Sequence, residues 1–258
     1  MLILTCGSEI NNANAFITID SSLPPKCELQ DFWNVESIGI IDKQSKTDGT
    51  LAMEQFTEKL KYEEKRYQVT WPWKSEIPDL PINRELALCR LISTVNRMKN
   101  KPDIMKKCND VVQYQLKKGV IEKVGTNEPD GIIHYLPHHG VITPQKSTTK
   151  LRLVYDASSK TRKENLRLND CLYRGPVMIH DLCGILMRFR MYSITMVADI
   201  EKAFLQIGLQ RDQRDVTRFM WLKETENPTL EASNIKEYRF CRVPFGIVSS
   251  PFSSRCDN

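Results

Sequence analysis

One carboxylate stands where it could hold a metal ion. Asp199 directly follows the apolar run Ile194-Thr-Met-Val-Ala198, which predicts a strand that ends at the acid. Phosphoryl transfer leaves a protein mainly positioning and charge neutralisation to do, and carboxylates hold the Mg²⁺ ions that take part. Asp199, with the backbone carbonyl that follows it, therefore predicts half of a magnesium site. The alternative is a strand-end aspartate that caps the next helix.

Two further features accompany this acid. An aromatic residue, Phe204, stands five positions later, and a turn rich in Gly, Ser and Pro follows in the run Val243-Pro-Phe-Gly-Ile-Val-Ser-Ser-Pro251. Turns of this composition let the backbone approach a ligand closely. Taken alone, a phenylalanine is more often a core residue. Together the acid, the ring and the turn suggest a nucleotide-polymerising site.

The elements that must position these residues follow a mixed α+β pattern. Apolar residues at helical spacing predict helices over 51–62, 83–99, 103–118 and 178–190. The third of these helices is expected to end with Gly119 as its cap. Short apolar runs predict strands near 66–73, 120–124, 133–143, 151–156, 193–199, 216–222 and 237–243. Helices thus come first and a sheet later.

The composition is that of a soluble globular chain. Hydrophobic residues make up 41% and charged residues 27% of the 258 positions. No apolar run approaches the roughly 20 residues that span a bilayer, and the start lacks a signal-peptide pattern, so we expect a cytoplasmic chain. The eight scattered cysteines favour buried free thiols over a zinc site. His138-His139 is likewise expected to be a solvated turn pair.

The positive charge is concentrated in one part of the chain. From Lys146 to Arg190 there are ten lysines and arginines and four aspartates and glutamates, an excess of six against +5 for the whole chain. A basic zone of this kind can neutralise phosphates and release their counterions. The alternative is a solvated basic face without a partner.

Several short motifs follow one another over roughly residues 28 to 252. In the second half of the chain they are Leu168-Asn-Asp-Cys-Leu-Tyr-Arg-Gly-Pro176, Met187-Arg-Phe-Arg190, Ala198-Asp-Ile-Glu-Lys-Ala-Phe-Leu-Gln-Ile207, Arg218-Phe-Met-Trp221 and Phe245-Gly-Ile-Val-Ser-Ser-Pro-Phe252. Upstream they are Asp31-Phe-Trp-Asn-Val-Glu-Ser-Ile-Gly-Ile40, Trp71-Pro-Trp-Lys74, Arg90-Leu91 and Gly119-Val-Ile-Glu122. In this order and spacing they resemble the reverse transcriptase of BEL/Pao-type LTR retrotransposons.

The resemblance assigns roles around the acid. Asp199 matches the first of three catalytic aspartates, which holds both metal ions, and Ile200 matches the residue whose backbone carbonyl reaches the second ion. Phe204 matches the gate beneath the incoming sugar. Its ring fills the space that a 2′-hydroxyl needs, which favours deoxynucleotides. Asp156 and Glu201 are expected to be structural.

The resemblance also assigns residues that bind the nucleotide. Arg152 matches the fingers arginine that contacts the incoming triphosphate, and the forked guanidinium suits that contact. Either Lys146 or Lys150 matches the companion fingers lysine, and the spacing leaves both open. Phe245 and Gly246 match the segment beside the nucleotide and the template base, with Phe where retroviral enzymes have Gln.

The implied architecture is the fingers and part of the palm of a right-hand polymerase, preceded by a mainly helical region. Residues 1–50 are expected to be a linker, a remnant of the protease–polymerase junction. Residues 51–118 form the helical, retroelement-specific region, and residues 119–258 form a partial reverse transcriptase domain. The ligands of the intact enzyme are Mg²⁺, deoxynucleoside triphosphates and an RNA or DNA primer–template, in the cytoplasm or in a retroelement particle and not at a membrane.

A second pair of catalytic aspartates is expected beyond the Ser-Pro-Phe segment, in a Tyr-x-Asp-Asp-like hairpin. This sequence has six residues after Phe252 and no such motif. Because loss of part of a cooperative site costs several orders of magnitude in rate, we expect the chain by itself to be inactive as a polymerase. The alternatives are a non-catalytic nucleic-acid-binding module that uses the basic zone, and a pseudogene product.

Overall fold

The structure, a computed structural model, describes residues 2–6, 47–76, 78–125, 131–143, 151–176, 181–198, 200–226 and 228–253. The chain divides into two compact units. The first unit consists of Met1–Thr47 and Met178–Ile200, and the second of Asp48–Val177 and Glu201–Asn258.

Both helices and strands occur in the described residues, consistent with the α+β prediction. The expected order of helices first and a sheet later was wrong, because the strands Leu2–Cys6, Lys61–Glu63 and Arg66–Val69 precede the helix Arg84–Met98. The helices are α1 (Asp48–Lys59), α2 (Arg84–Met98), α3 (Pro102–Lys117), α4 (Leu182–Met191) and α5 (Ser250–Ser253). The strands are β1 (Leu2–Cys6), β2 (Lys61–Glu63), β3 (Arg66–Val69), β4 (Ile121–Lys123), β5 (His138–Ile142), β6 (Leu151–Tyr155), β7 (Ile194–Ala198), β8 (Gly208–Leu209), β9 (Arg218–Leu222) and β10 (Ile235–Phe240). Among the described helices, none is long and apolar enough to cross a lipid bilayer.

The sheets of the second unit are small and mostly antiparallel. Strand β10 lies between β4 and β9 and pairs antiparallel with both. Strands β5 and β6 form an antiparallel pair in which His138 lies opposite Tyr155 and Val141 opposite Arg152. A further sheet joins β2 and β3 antiparallel and adds β8 in parallel to β3.

Helices α2 and α3 confirm the two helices that the spacing of apolar residues predicted. Their buried residues recur at helical spacing and pack α2 against β5 and β9, and α3 against β6. Pro102 stands in the first turn of α3, where its missing N–H costs no hydrogen bond. Gly119 follows the helix with φ of 61°, and the Val120 N–H bonds the Gln115 carbonyl at 2.9 Å. Gly119 thus terminates the helix as predicted.

The core of the second unit lies between these helices and the strands. Its largest fully buried side chains come from different elements, and they are Trp71, Leu91, Ile121, Leu136, Leu168, Phe219, Trp221 and Phe240. Tyr155 contacts the rings of Phe219 and Phe240 edge-on at 5.0 and 4.8 Å between ring centroids. The end of β6 is therefore fixed by core packing.

Three strand predictions were wrong in their extent. The strand expected over 133–143 begins only at His138, because the residues before it bond to other segments: the Tyr135 N–H donates to the Ile82 carbonyl and the Leu136 N–H to the Arg218 carbonyl. The strand expected over 66–73 ends at Val69, before Pro72. The strand expected over 237–243 is Ile235–Phe240, and the residues after it belong to a turn.

The first unit is described through two strands and one helix. Strands β1 and β7 pair antiparallel, with Leu2 opposite Ala198. Of the two strands, β1 lies inside the range 1–50 that the sequence predicted to be a linker. Asp181 caps α4, because its carboxylate accepts from the Cys183 and Gly184 N–H groups. Large apolar side chains of α4 and β7 are exposed, namely Leu182, Leu186, Met187, Met191, Ile194, Met196 and Val197.

Candidate functional site

Two predicted site residues meet in the second unit. The rings of Phe204 and Phe245 lie 4.5 Å apart between centroids with an interplanar angle of 41°, although 40 residues separate them in the sequence. Phe204 is partly buried and packs against the core, whereas Phe245 is 56% exposed. These two residues, hereafter the ring pair, present an aromatic surface to solvent, the kind of surface on which a sugar or a base can pack.

A short 3-10 helix, Ala203–Gln206, carries Phe204. It begins after Lys202, which has the left-handed φ of 53°, and the Leu205 N–H bonds the Lys202 carbonyl at 2.8 Å. The Lys202 ammonium lies 2.9 Å from the Glu201 carboxylate and 4.9 Å from the centroid of the Tyr114 ring. This hydrogen-bonded contact with Glu201 raises the pKa of Lys202, so its positive charge is maintained.

The second ring stands in the turn that connects β10 to α5. The Val243 N–H bonds the Ile207 carbonyl at 3.1 Å, and the Ser250 hydroxyl donates to the Pro244 carbonyl at 2.7 Å. Gly246 has φ of 99°, and a Cβ at this position would lie 2.4 Å from the Tyr155 carbonyl oxygen. Only glycine therefore fits here. The sequence predicted that this turn approaches a ligand, whereas the approach seen at Gly246 is to strand β6.

Strand β6 also carries the predicted triphosphate contact. Arg152 lies on this strand, three residues before Tyr155, and its side chain is exposed. Among the described residues its guanidinium has no hydrogen bond and no ion pair. The strand that Gly246 touches thus carries an exposed arginine, and a guanidinium suits contacts with anions.

The predicted metal ligand is not among the described residues. Asp199, Lys146 and Lys150 all lie outside them. Ile200, whose backbone carbonyl was predicted to contact the second ion, is exposed and belongs to the first unit. Within the described part of the chain, no group of three or more His, Cys, Asp or Glu side chains could hold a metal ion.

Comparison with known proteins adds no family. No family model matches this sequence, and no curated protein matches it at a significant level. The interpretation of the site therefore depends on its own geometry and on the motifs of the sequence.

Two acids that were expected to be structural have structural contacts. The Asp156 carboxylate accepts from Ser158 N at 3.0 Å and so closes the turn after β6. Glu201 is exposed and pairs with Lys202.

Two polar residues beside the ring pair escaped the sequence analysis. The Asn169 side chain hydrogen-bonds backbone groups of the 243–250 turn, and Arg242 donates to the carbonyls of Leu205 and Lys118 at 3.0 and 3.1 Å. Asn169 stands in a motif that carried only the resemblance, and no local pattern marked it. The role of such a polar residue can be recognised only when its hydrogen-bond partners are known.

A buried charge network also appears only in the structure. Asp215, completely buried, accepts from Arg218 at 2.8 Å and from Arg239 at 2.9 Å. Arg239 also donates to Glu122 at 2.7 Å, and Glu122 pairs with Arg214 at 3.3 Å. Burial by itself raises the pKa of Asp215, but the hydrogen bonds from the two arginines lower it below the ordinary value.

The prediction of a solvated turn was wrong for the histidine pair, because both residues lie on strand β5 and His138 is buried. His138 is buried within β5, where its ring stacks on Tyr155 at 5.4 Å and contacts Phe219 and Trp221. The apolar surroundings lower the pKa of His138 to about 4, so the ring is neutral at physiological pH. His139, the next residue on the strand, is exposed as expected.

The cysteines follow the expectation in part. Cys108 and Cys171 are buried, and burial raises the pKa of Cys108 to about 11, which keeps the thiol protonated. Cys89 and Cys183 are exposed, so the prediction of buried thiols was wrong for them.

A cavity of about 470 Å³ lies at a different place in the second unit. Its lining includes Trp73, Lys59, Lys74 and Gln213 and none of the predicted site residues. The Trp73 indole N–H donates to the Gln213 side chain at 2.9 Å, and Trp71 is buried. Both tryptophan side chains therefore make packing contacts or internal hydrogen bonds in the second unit.

Proposed function

We propose that this chain carries the deoxynucleotide-binding side of a reverse transcriptase active site. The main observation in support of this proposal is the contact between Phe204 and Phe245. Phe204 is the predicted sugar gate, and Phe245 is the residue predicted to pack beside the nucleotide. Neither ring was expected to touch the other from any local pattern in the sequence. Two motifs that the resemblance assigns to one site thus lie in contact, which supports the proposal.

The residue roles follow from the chemistry of a deoxynucleoside triphosphate. Phe204 packs beneath the sugar and excludes a 2′-hydroxyl, and Phe245 packs beside the nucleotide. Arg152 contacts the triphosphate, because a guanidinium donates two parallel hydrogen bonds to phosphate oxygens. The exposed Phe245 ring costs hydrophobic free energy in water, and a nucleotide packed on it would recover part of this cost.

Mg²⁺ remains part of the proposal through Asp199 and the backbone carbonyl of Ile200. A carboxylate and a carbonyl oxygen are ligands of the kind that Mg²⁺ takes from proteins, with phosphate oxygens and water completing the shell. The ion would supply charge neutralisation for the triphosphate. The described residues contribute binding and orientation of the nucleotide.

The test is a comparison of sugars rather than an assay of polymerisation. Equilibrium dialysis with dCTP and with CTP, in the presence of Mg²⁺, measures the affinity ratio of the two nucleotides. We expect the wild-type chain to prefer dCTP by about tenfold or more, which corresponds to ~1.4 kcal/mol. Phe204→Ala removes the steric exclusion of the 2′-hydroxyl, so the ratio should fall to about one.

The matched control is Tyr62→Ala, which removes an exposed aromatic ring on β2 and should leave the ratio unchanged. An unchanged preference in Phe204→Ala would remove the gate assignment. No measurable binding of dCTP by the wild-type chain would contradict the proposed function itself.

A second candidate, a non-catalytic nucleic-acid-binding module, is favoured by a separate observation. Four cations of the basic zone in the second unit, Arg152, Arg162, Lys163 and Arg174, are exposed. None of the four makes an ion pair with another described residue. Exposed, unpaired cations are available to phosphates.

A further inference from the structure

Asn169 connects two segments that are distant in sequence. Its side-chain Oδ1 accepts from the Val248 N–H at 2.9 Å. Its Nδ2 donates to the Ser158 hydroxyl at 2.8 Å and to the Gly246 carbonyl at 3.4 Å. One amide thus holds the 243–250 turn on both sides of its centre and ties it to the loop after β6.

The backbone of Asn169 is itself fixed. The residue lies in the 3-10 helix Leu168–Asp170, in which Leu168 is completely buried. The Asn169 N–H bonds the Ala157 carbonyl at 3.2 Å, and the Cys171 N–H bonds the Leu168 carbonyl at 3.1 Å. Because the backbone of Asn169 is fixed, its side chain can restrict the motion of the turn that it contacts.

The chemistry of the contact requires a carboxamide. Val248 presents an N–H and Gly246 presents a carbonyl, so the side chain must accept at one atom and donate at another. Aspartate has the same shape but only acceptor oxygens, and it would face the Gly246 carbonyl without a proton to share. Alanine offers neither group.

The segments that carry the two rings of the ring pair are held by hydrogen bonds from different residues. Arg242 fixes the helix that carries Phe204, since its guanidinium donates to the carbonyls of Leu205 and Lys118. Asn169 contacts the residues immediately after Phe245. Loss of the Asn169 amide should therefore loosen the 243–250 turn and leave the Phe204 helix in place.

We infer that Asn169 is a positioning residue that orders the turn of Phe245 and thereby keeps its ring against the sugar gate. The inference rests on the proposed function for its consequence, which is discrimination between deoxynucleotides and ribonucleotides. If Phe245 is free to move, Phe204 loses the ring that packs against it at 4.5 Å, and the gate becomes less restrictive. Asn169 itself makes no contact with the sugar in this arrangement.

The experiment compares Asn169→Ala and Asn169→Asp with the wild-type chain by two measurements. Hydrogen exchange of the backbone amides reports the order of residues 243–250 without any ligand. We expect about five- to tenfold faster exchange there in Asn169→Ala, as the loss of about one net hydrogen bond implies, and unchanged exchange in residues 203–209. Asn169→Asp retains the bond from Val248 and should lie between the two.

The second measurement is the dCTP-to-CTP affinity ratio. Asn169→Ala should lower this ratio at least threefold, whereas a variant that only destabilised the fold would weaken both nucleotides equally. The matched control is Asn165→Asp, four residues earlier in the same loop, whose side chain makes no hydrogen bond with other described residues. This control should leave both the exchange rates and the ratio unchanged.

The outcomes separate the two proposals. Unchanged exchange of residues 243–250 in Asn169→Ala would overturn the positioning role, whatever the nucleotide data. Faster exchange with an unchanged ratio would overturn its link to sugar discrimination. Failure of the wild-type chain to bind dCTP would contradict the proposed function, while the exchange rates would still decide whether Asn169 orders the turn.

Discussion

Two buried histidines, His138 on strand β5 and His134 ahead of that strand, make the stability of the chain depend on pH. Apolar burial lowers the pKa of His138 to about 4, and burial also lowers that of His134 to about 4 despite its hydrogen bond with the Pro81 carbonyl. An unfolded histidine titrates near 6.5. Between these values the unfolded chain binds protons that the folded chain does not, so stability is fully present above pH ~6.5 and falls as the pH decreases towards 4.

We predict that the free energy of unfolding falls by up to about 1.4 kcal/mol per pH unit for each of these histidines between pH ~6 and ~4. In His138→Phe the slope should decrease by about half the histidine contribution, because the substituted ring cannot titrate. Urea denaturation at several pH values measures this slope. Comparing slopes rather than absolute stabilities removes any effect of the larger ring on packing. His139→Gln, at an exposed position, serves as control, and an equal change there would contradict the assignment.

At the scale of elements, the Asp215 network connects strands to the 3-10 helix before β9. Its carboxylate is shared by Arg218 at the start of β9 and Arg239 near the end of β10, and Arg239 continues to Glu122 on β4. The network therefore crosses the whole sheet β4-β10-β9. Such a buried pair contributes little when complete but leaves uncompensated charge when one partner is removed.

We predict that Asp215→Asn lowers the free energy of unfolding by about 3–5 kcal/mol, since two largely buried guanidinium groups lose the buried carboxylate charge that they share. Urea denaturation at pH 7 measures this loss. Asp110→Asn, on the exposed face of α3, makes the same change of charge and should cost less than about 0.5 kcal/mol. A similar small cost for Asp215→Asn would show that the network does not stabilise the sheet.

At the scale of the whole molecule, the distribution of charge decides between the candidate functions. The net charge of +5 is modest, yet the basic zone alone has an excess of six positive charges. Phosphate contacts from such a zone make the affinity for nucleic acid strongly dependent on salt. Both candidate functions require this dependence, and only the first requires discrimination between sugars.

We predict that an RNA–DNA hybrid binds with an affinity that falls steeply between about 50 and 200 mM salt. The double variant Arg162→Glu and Lys163→Glu should reduce the slope of log affinity against log salt by about two units, roughly 0.9 for each lost phosphate contact. Fluorescence anisotropy with a labelled hybrid measures the slope. The matched control is Lys106→Glu with Lys107→Glu, on the exposed face of α3. Equal slopes for the two double variants would exclude the basic zone as the binding surface.

The sequence by itself determined the local elements that are controlled by periodicity and caps. Helices α2 and α3 follow from apolar residues spaced at three and four, and Gly119 ends α3 because its φ of 61° suits a residue without Cβ. Strand ends were less accurate, since they depend on which distant segments pair: Tyr135 and Leu136, expected in one strand with β5, bond instead to Ile82 and Arg218. The magnesium prediction at Asp199 stays a prediction, because this residue lies outside those described.

Only the tertiary structure decided which residues share a site. The sequence identifies Phe204 and Phe245 as candidate site residues, but no local pattern predicts their contact. That contact depends on how β10 packs against the 3-10 helix Ala203–Gln206. The burial of His138 and the hydrogen bonds of Asn169 are of the same kind. A local pattern records the preferences of neighbouring residues, whereas a site is formed by contacts between distant ones, and those contacts are fixed only when the core has packed.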